Sequence, residues 1–328
     1  MYLLELAGED DRFAIAEAAV AATRPRRLAP GVASAAGVDL ERARHLARTH
    51  AVLESAARAA GGVEAVRAAA VAMPLERTGT IAVRCRDVRG TAGVDTTAVE
   101  HAVGAVLVDR GLDVDLEAPA HVLRVLAAGR DGDTRWYLGW VVLEPERGFG
   151  TRRPPRRPFQ QPGTMGPQLA RTLVNLSGVG PDECFLDPMC GPGALVLEAG
   201  LLGARPLGVD YQARMVRGAR RNYAALGPTK PPIQVLRASA HALPVSAADA
   251  AAFDAPYGRQ SPIGHASARE LVDATLAELA AVVPRCVAVF DRPLAAIAQR
   301  SGWRVLETFE RPVHRSLTRH VAVLERPG

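Results

Sequence analysis

Lysine is almost missing from this 328-residue chain: Lys230 stands alone in a Lys-plus-Arg total of 40. A basic surface of flexible ammonium groups is therefore excluded, and nearly all positive charge sits on guanidinium, which donates in a planar fork. GC-rich coding accounts for that bias as well as a phosphate partner does, so arginine content alone assigns no function. Cysteine is also scarce. Cys85, Cys184, Cys190 and Cys286 form no CxxC pair and no Cys/His set with zinc-ligand spacing, which excludes a zinc-ribbon or disulfide-stapled scaffold and reads as four reduced thiols with no metal site. No apolar run approaches the ~20 residues of a membrane helix. The opening MYLLELAGEDDRF meets acidic residues at once, without the basic, apolar, small-residue order of a signal peptide. The expectation is a cytoplasmic protein with no membrane partner. What is present is 48% apolar content, enough for two or three domains, and a net charge of +5, which permits nucleic acid as a partner without requiring it.

The chain divides at RGFGTRRPPRRPFQQPG, Arg147 to Gly163. That stretch is dense in Gly, Pro and Arg, cannot continue a helix, and separates regions of different pattern. It reads either as a solvated basic linker or as a strip of RNA contacts through Arg152, Arg153, Arg156 and Arg157. Beyond it, strand-like and helix-like segments alternate. Glu183 to Asp187, Arg205 to Asp210, Ile233 to Ala238, Asp249 to Asp254 and Arg285 to Arg292 read as strands, ALVLEAGLLG and Ala268 to Val283 as helices, and GWRVLETFERPVHRSLTRHVAVLE as an antiparallel hairpin. This alternation predicts an α/β fold, a mostly parallel Rossmann-like sheet with an antiparallel edge, binding ligands outside the carboxyl ends of its strands. The first half is less regular. Leu3 to Leu6, Thr80 to Arg86 and Trp136 to Leu143 read as strands, and Arg12 to Ala22, Asp39 to Ala60 and Thr97 to Arg110 as helices. One or two small α+β units are expected there, suited to binding rather than reaction.

Two motifs carry chemistry. In LDPMCGPGALVLEAG a strand ends at Asp187, a turn holds Gly191 and Gly193, and a helix opens at Ala194. Backbone amides and a helix N-terminus are thereby offered to an anionic group, and the glycines let a ligand approach the backbone. About twenty residues on, Asp210 ends the next strand, where a carboxylate accepts from ribose hydroxyls. Nicotinamide dinucleotides and S-adenosylmethionine both use this arrangement; Val196 at the third glycine position of GxGxxG argues against the dinucleotide. The second motif is FDAPYG. An exocyclic amine on a base is a poor nucleophile because its lone pair is conjugated into the ring. Asp254, the carbonyl of Ala255, the rigid Pro256 and the ring of Tyr257 supply an acceptor pair for the amine hydrogens and a platform that stacks on the base.

At these motifs the sequence resembles the archaeal tRNA guanine-N2 methyltransferases that modify position 10. The resemblance runs from RRPFQQPGTM through DPMCGPG and FDAPYGRQS to RPVHRSLTRHVAVLE, and more faintly over the first half through TIAVRCRDV, TTAVEHAVGAVLVDRG and WYLGWVV. It implies a ferredoxin-like segment over residues 1–75, an RNA-binding THUMP domain over 76–146, a linker over 147–163 and a class I methyltransferase domain over 164–328. It also implies S-adenosylmethionine held by Asp187, Gly191, Gly193 and Asp210, with Thr164 and Met165 closing the site and Ser239 at the adenine. Asp254 would accept the guanine amine proton and Tyr257 would stack on the flipped base. Arg84, Arg86, Arg315 and Arg319 become RNA contacts, and tRNA the partner of a monomer, with an activating subunit left open.

Three positions depart from the family pattern. Ala255 replaces the first proline of DPPY, which should cost about 0.4–1 kcal/mol through a looser backbone. Ser239 stands where an aspartate usually accepts the adenine amino proton, so charge assistance is lost there. Pro192 removes one amide donor between the glycines. The competing readings are a guanine-N2 methyltransferase for another tRNA position or ribosomal RNA, a DNA amine methyltransferase, a nicotinamide-dependent oxidoreductase, and a non-catalytic tRNA-binding protein.

Overall fold

The computed structural model describes residues 1–130, 132–256, 268–314 and 317–327. It resolves into two compact units, Met1–Glu146 and Arg147–Gly328. Among the described residues of the first unit, one eight-stranded sheet runs in the order Arg26–Ala29, Val32–Ala35, Tyr2–Leu6, Thr49–Ala60, Asp133–Leu143, His121–Arg130, Thr80–Asp87, Asp113–Val114. Helices Val63–Ala72 and Thr96–Asp109 pack on it, burying Val66, Val99, Val103 and Leu107 against Trp136, Leu138 and Trp140. Thr49–Ala60 pairs antiparallel with Asp133–Leu143, so a single sheet passes through both of the parts expected to meet near residue 75.

The helix expected over Asp39 to Ala60 is not there. Only Leu40–Ala43 is helical, capped by Asp39 accepting from the Arg42 N–H at 3.1 Å, and Thr49–Ala60 is a twelve-residue strand. Its alanines favour a helix in isolation, but it has a paired neighbour on each side, Tyr2–Leu6 and Asp133–Leu143. Tertiary pairing and the burial of Ala51, Val52 and Leu53 outweigh a propensity worth a few tenths of a kcal/mol per residue.

The second unit carries strands β1 (Cys184–Asp187), β2 (Arg205–Asp210), β3 (Gln234–Arg237), β4 (Ala250–Asp254), β5 (Arg285–Phe290), β6 (Arg304–His314) and β7 (Leu317–Glu325). Its helices are α1 (Pro167–Ser177), α2 (Ala194–Leu201), α3 (Ala213–Leu226), α4 (Ala268–Val282) and α5 (Ala295–Arg300). The sheet order is β3-β2-β1-β4-β5-β7-β6, parallel through β5 and antiparallel at β7 and β6. This is the mostly parallel, Rossmann-like α/β arrangement that the alternation predicts, hairpin included. α1 opens on Pro167, whose missing N–H is harmless in a first turn, and stops at Gly178, whose φ of +81° suits glycine. β4 reads AAAFD because it lies between β1 and β5, where small residues pack; Phe253 and Phe290 are fully buried and contribute about 1.5–3 kcal/mol each. None of the helices among the described residues is long and apolar enough to cross a membrane.

Candidate active site

β1 ends at Asp187, β2 at Asp210 and β4 at Asp254. These parallel strands are neighbours in the order β2-β1-β4, so their carboxyl ends gather three aspartates at one edge of the sheet. Asp210 splints the glycine turn: one oxygen accepts from the Gly191 N–H at 3.0 Å and the other from the Gln212 N–H at 2.8 Å. Asp187 accepts from the Met189 N–H at 3.1 Å. Gly191 and Gly193 have φ of +48° and +84°, conformations glycine adopts without strain. A Cβ on Gly193 would lie 3.0 Å from the Cβ of Ala219, whereas one on Gly191 would meet nothing within 4 Å. The first glycine therefore faces open space and the second lets α2 start against α3. Burial raises the carboxyls of Asp187 and Asp210; Asp187 is pushed well up, with Asp210 and Asp254 adding to the effect.

The Asp254 side chain is 20% exposed and one of its oxygens, Oδ2, lies 3.2 Å from Arg319 Nη2. The other, Oδ1, is buried and has no hydrogen-bond partner among the described residues. Burial pushes the Asp254 carboxyl up to about 6, against the pull of the Arg319 guanidinium. Ala255 is buried, and its N–H donates to the Val289 carbonyl at 2.9 Å. A proline there could not make that bond, so the departure from DPPY carries a compensation that the sequence does not reveal. Pro256 is half-buried. Tyr257 and Arg315 lie outside the described residues.

The basic segment, read as either a solvated linker or a strip of RNA contacts, is docked on its own unit. Arg152 reaches the fully buried Glu198 of α2 at 2.8 and 3.2 Å, and Arg171 of α1 joins the same carboxylate at 3.0 Å. Arg157 is buried and donates to the carbonyls of Arg152 and Met165. Phe159 fills the space left by Gly218, where any Cβ would fall 2.1 Å from its ring. Three of the residues expected as RNA contacts hold partners within the unit. Arg152, Arg157 and Arg319 spend their guanidinium groups inside the unit, because buried Glu198, Asp254 and backbone carbonyls need donors. Arg153 and Arg156 remain exposed. In the first unit Arg86 is exposed and paired with the buried Glu5 at 3.1 Å, and Arg84 donates to the Leu116 carbonyl at 2.8 Å.

Of the expected cofactor residues, Met165 is buried, Thr164 is half-buried and turns its hydroxyl to the Gln161 carbonyl at 2.6 Å, and Ser239 is exposed, accepting from the His241 N–H at 3.2 Å. One residue escaped the sequence reading. Asn222 on α3 accepts from the Phe159 N–H and donates to the carbonyls of Phe159 and Pro192, all within 2.9 Å, which locks the docked segment to the glycine turn. Its signal was available: Met215, Ala219, Asn222 and Tyr223 share the buried stripe of α3, and an asparagine on such a stripe demands partners.

The family profile UPF0020, described as an RMKL-like methyltransferase domain, matches residues 154–320. A tRNA (guanine(10)-N2)-dimethyltransferase of Methanothermobacter thermautotrophicus is 38% identical over 254 residues, 75% of this chain and 73% of that one. The chain belongs to this methyltransferase family. The Pyrococcus abyssi protein of the same name is 30% identical over 75% of this chain and 74% of its own. Among solved structures, TrmN from Thermus thermophilus is 25% identical and covers 99% of both chains at a TM-score of 0.51. The methyltransferase is thus an enzyme that draws on S-adenosylmethionine, and the site fits that cofactor. Gly191 leaves open backbone at the start of α2 for a carboxylate, and Asp187 and Asp210 offer acceptors to an ammonium and to hydroxyls.

Proposed function

We propose that this methyltransferase modifies the N2 amine of a guanine in tRNA, at position 10, adding one or two methyl groups. The observation that carries the reading is the unpartnered buried Oδ1 of Asp254, at the strand end beside the glycine turn. A buried acceptor left without a donor costs about 1–3 kcal/mol, which an incoming N–H recovers. The relatives' names supply the amine: guanine N2.

Bound S-adenosylmethionine supplies a methyl on a sulfonium, which leaves as a neutral thioether. The chain's own part is to orient the amine. Asp254 Oδ1 accepts one N2 hydrogen and the Ala255 carbonyl the other, so the nitrogen lone pair turns out of conjugation as its bond to the methyl carbon forms and the carbon–sulfur bond breaks. The proton lost from nitrogen goes to Asp254, whose carboxyl, raised to about 6, is a competent general base near neutral pH. Tyr257 is assigned to stack on the base. Residues 1–75 are read as ferredoxin-like and 76–146 as a THUMP domain that grips the tRNA, with Arg84 and Arg86 in that unit and Arg153 and Arg156 in the docked segment as phosphate contacts. The enzyme is read as a cytoplasmic monomer acting on RNA rather than DNA.

The test is methyl transfer from isotope-labelled S-adenosylmethionine to unmodified tRNA transcripts. Label that disappears when guanine 10 is replaced by adenine supports the reading. Label that survives the replacement moves the target elsewhere, and a protein that binds tRNA without transferring label contradicts the catalytic assignment.

A further inference from the structure

Arg319 has two ties that no step of the proposed chemistry has yet used. Its Nη2 lies 3.2 Å from Asp254 Oδ2 and donates to the Gly163 carbonyl at 3.1 Å, and its side chain is 8% exposed. Gly163 immediately precedes Thr164 and Met165, so one guanidinium on β7 holds both the catalytic strand end and the segment assigned to the cofactor. We propose that Arg319 is a positioning residue for Asp254: by occupying Oδ2 and anchoring Gly163, it leaves Oδ1 as the single oxygen presented to the guanine amine.

The inference rests on the proposed function and adds to it. A planar donor group that spans two acceptors fixes the rotation of the carboxylate, which an isolated aspartate would not have. It also keeps the carboxylate acceptor-only. Among the described residues, the charged group acting on Asp254 is Arg319 from β7, which favours its ionised form; Asp254 in turn raises Asp187 on β1, with Asp210 on β2 beyond. Without Arg319 the carboxyl would rise further, because burial would stand unopposed.

Steady-state methylation of tRNA across pH 5 to 9 tests this with wild-type enzyme, Arg319→Gln and Arg319→Lys. For Arg319→Gln the acid limb of kcat is expected to move up by about 1–3 pH units, the range an opposite charge at this distance accounts for. The KM for tRNA should stay within about twofold, as interactions made equally before and during reaction are untouched. Arg319→Lys should keep the limb in place but lower kcat about fivefold, since an ammonium on a shorter, freely rotating stem lacks the rigid plane that fixes the carboxylate's rotation. A raised KM with an unmoved limb would make Arg319 an RNA contact, and unchanged kinetics in either variant would leave it no role; both overturn the inference while the wild-type activity stands. If Arg319→Gln is unfolded by circular dichroism, Arg319→Lys decides alone: an unaltered kcat overturns the inference. No transfer by the wild-type enzyme would overturn the proposed function itself, and this inference with it.

Discussion

The two units bury charge for different ends. In the first, Glu5 is buried between Arg86 and Arg124, and Arg124 also reaches Glu144, so every one of these charges has a partner. In the second, Asp254 is half-buried and also meets an arginine, yet its buried Oδ1 has no partner among the described residues. Paired buried charges stabilise or specify structure, even with Arg124 Nε left without a partner among the described residues; an open carboxylate oxygen at a strand end, beside a left-handed glycine turn, is on the proposed function an acceptor that the substrate completes. On the proposed function, the contrast sets a unit whose buried charges meet partners apart from one that leaves a carboxylate oxygen for substrate.

The largest effect should come from the open acceptor. Asp254→Asn, read as kcat for tRNA methylation, should lose about 10²–10⁴-fold, the range for a positioned proton acceptor, while affinities for S-adenosylmethionine and tRNA hold. In the wild-type enzyme the same carboxylate sets the pH response. It accepts only when ionised, so kcat should climb as pH rises through about 6 and level off above it.

Next comes the buried Glu5 network. Arg124→Met leaves Glu5 with Arg86 alone and should destabilise the first unit by about 1.5–3 kcal/mol, the worth of one charged hydrogen bond, seen in thermal or denaturant unfolding, without weakening the binding of S-adenosylmethionine measured by calorimetry. A parallel loss of cofactor binding would erase the contrast between the units. Smaller again is Ser239→Asp, which restores a charged acceptor and should tighten cofactor binding by about 1 kcal/mol, or roughly fivefold. The smallest is Ala255→Pro. Rigidity should gain about 0.4–1 kcal/mol, but the bond from Ala255 N–H to the Val289 carbonyl, worth about 1 kcal/mol, is lost, so neither melting temperature nor kcat should improve.

Legibility in the sequence divides along the same line. Parallel strands with intervening helices gather ligand-facing residues at their carboxyl ends, so Asp187, Asp210 and Asp254 were readable as strand ends one strand at a time, but the order of the sheet was not. Long-range partners were not. Arg319 lies 65 residues beyond Asp254, and in HRSLTR it reads as a solvated hairpin charge; only the pairing of β5 with β7 brings it to the end of β4. The docking of residues 152–159 was hidden for a related reason: its Arg and Pro content looks like a linker, and its partners, Glu198 and Asn222, lie on helices that the apolar pattern had already explained. Thr49–Ala60 failed differently, because alanine says little about which structure its neighbours impose.

The central claim is that Asp254 Oδ1 takes a guanine N2 hydrogen. The direct measurement is mass spectrometry of nucleosides from tRNA transcripts incubated with isotope-labelled S-adenosylmethionine and either wild-type enzyme or Asp254→Asn. The account predicts labelled N2-methylguanosine or N2,N2-dimethylguanosine from the wild type, and at least a hundredfold less from a variant that still binds cofactor and tRNA. Label on a different base, or equal label from Asp254→Asn, would contradict it.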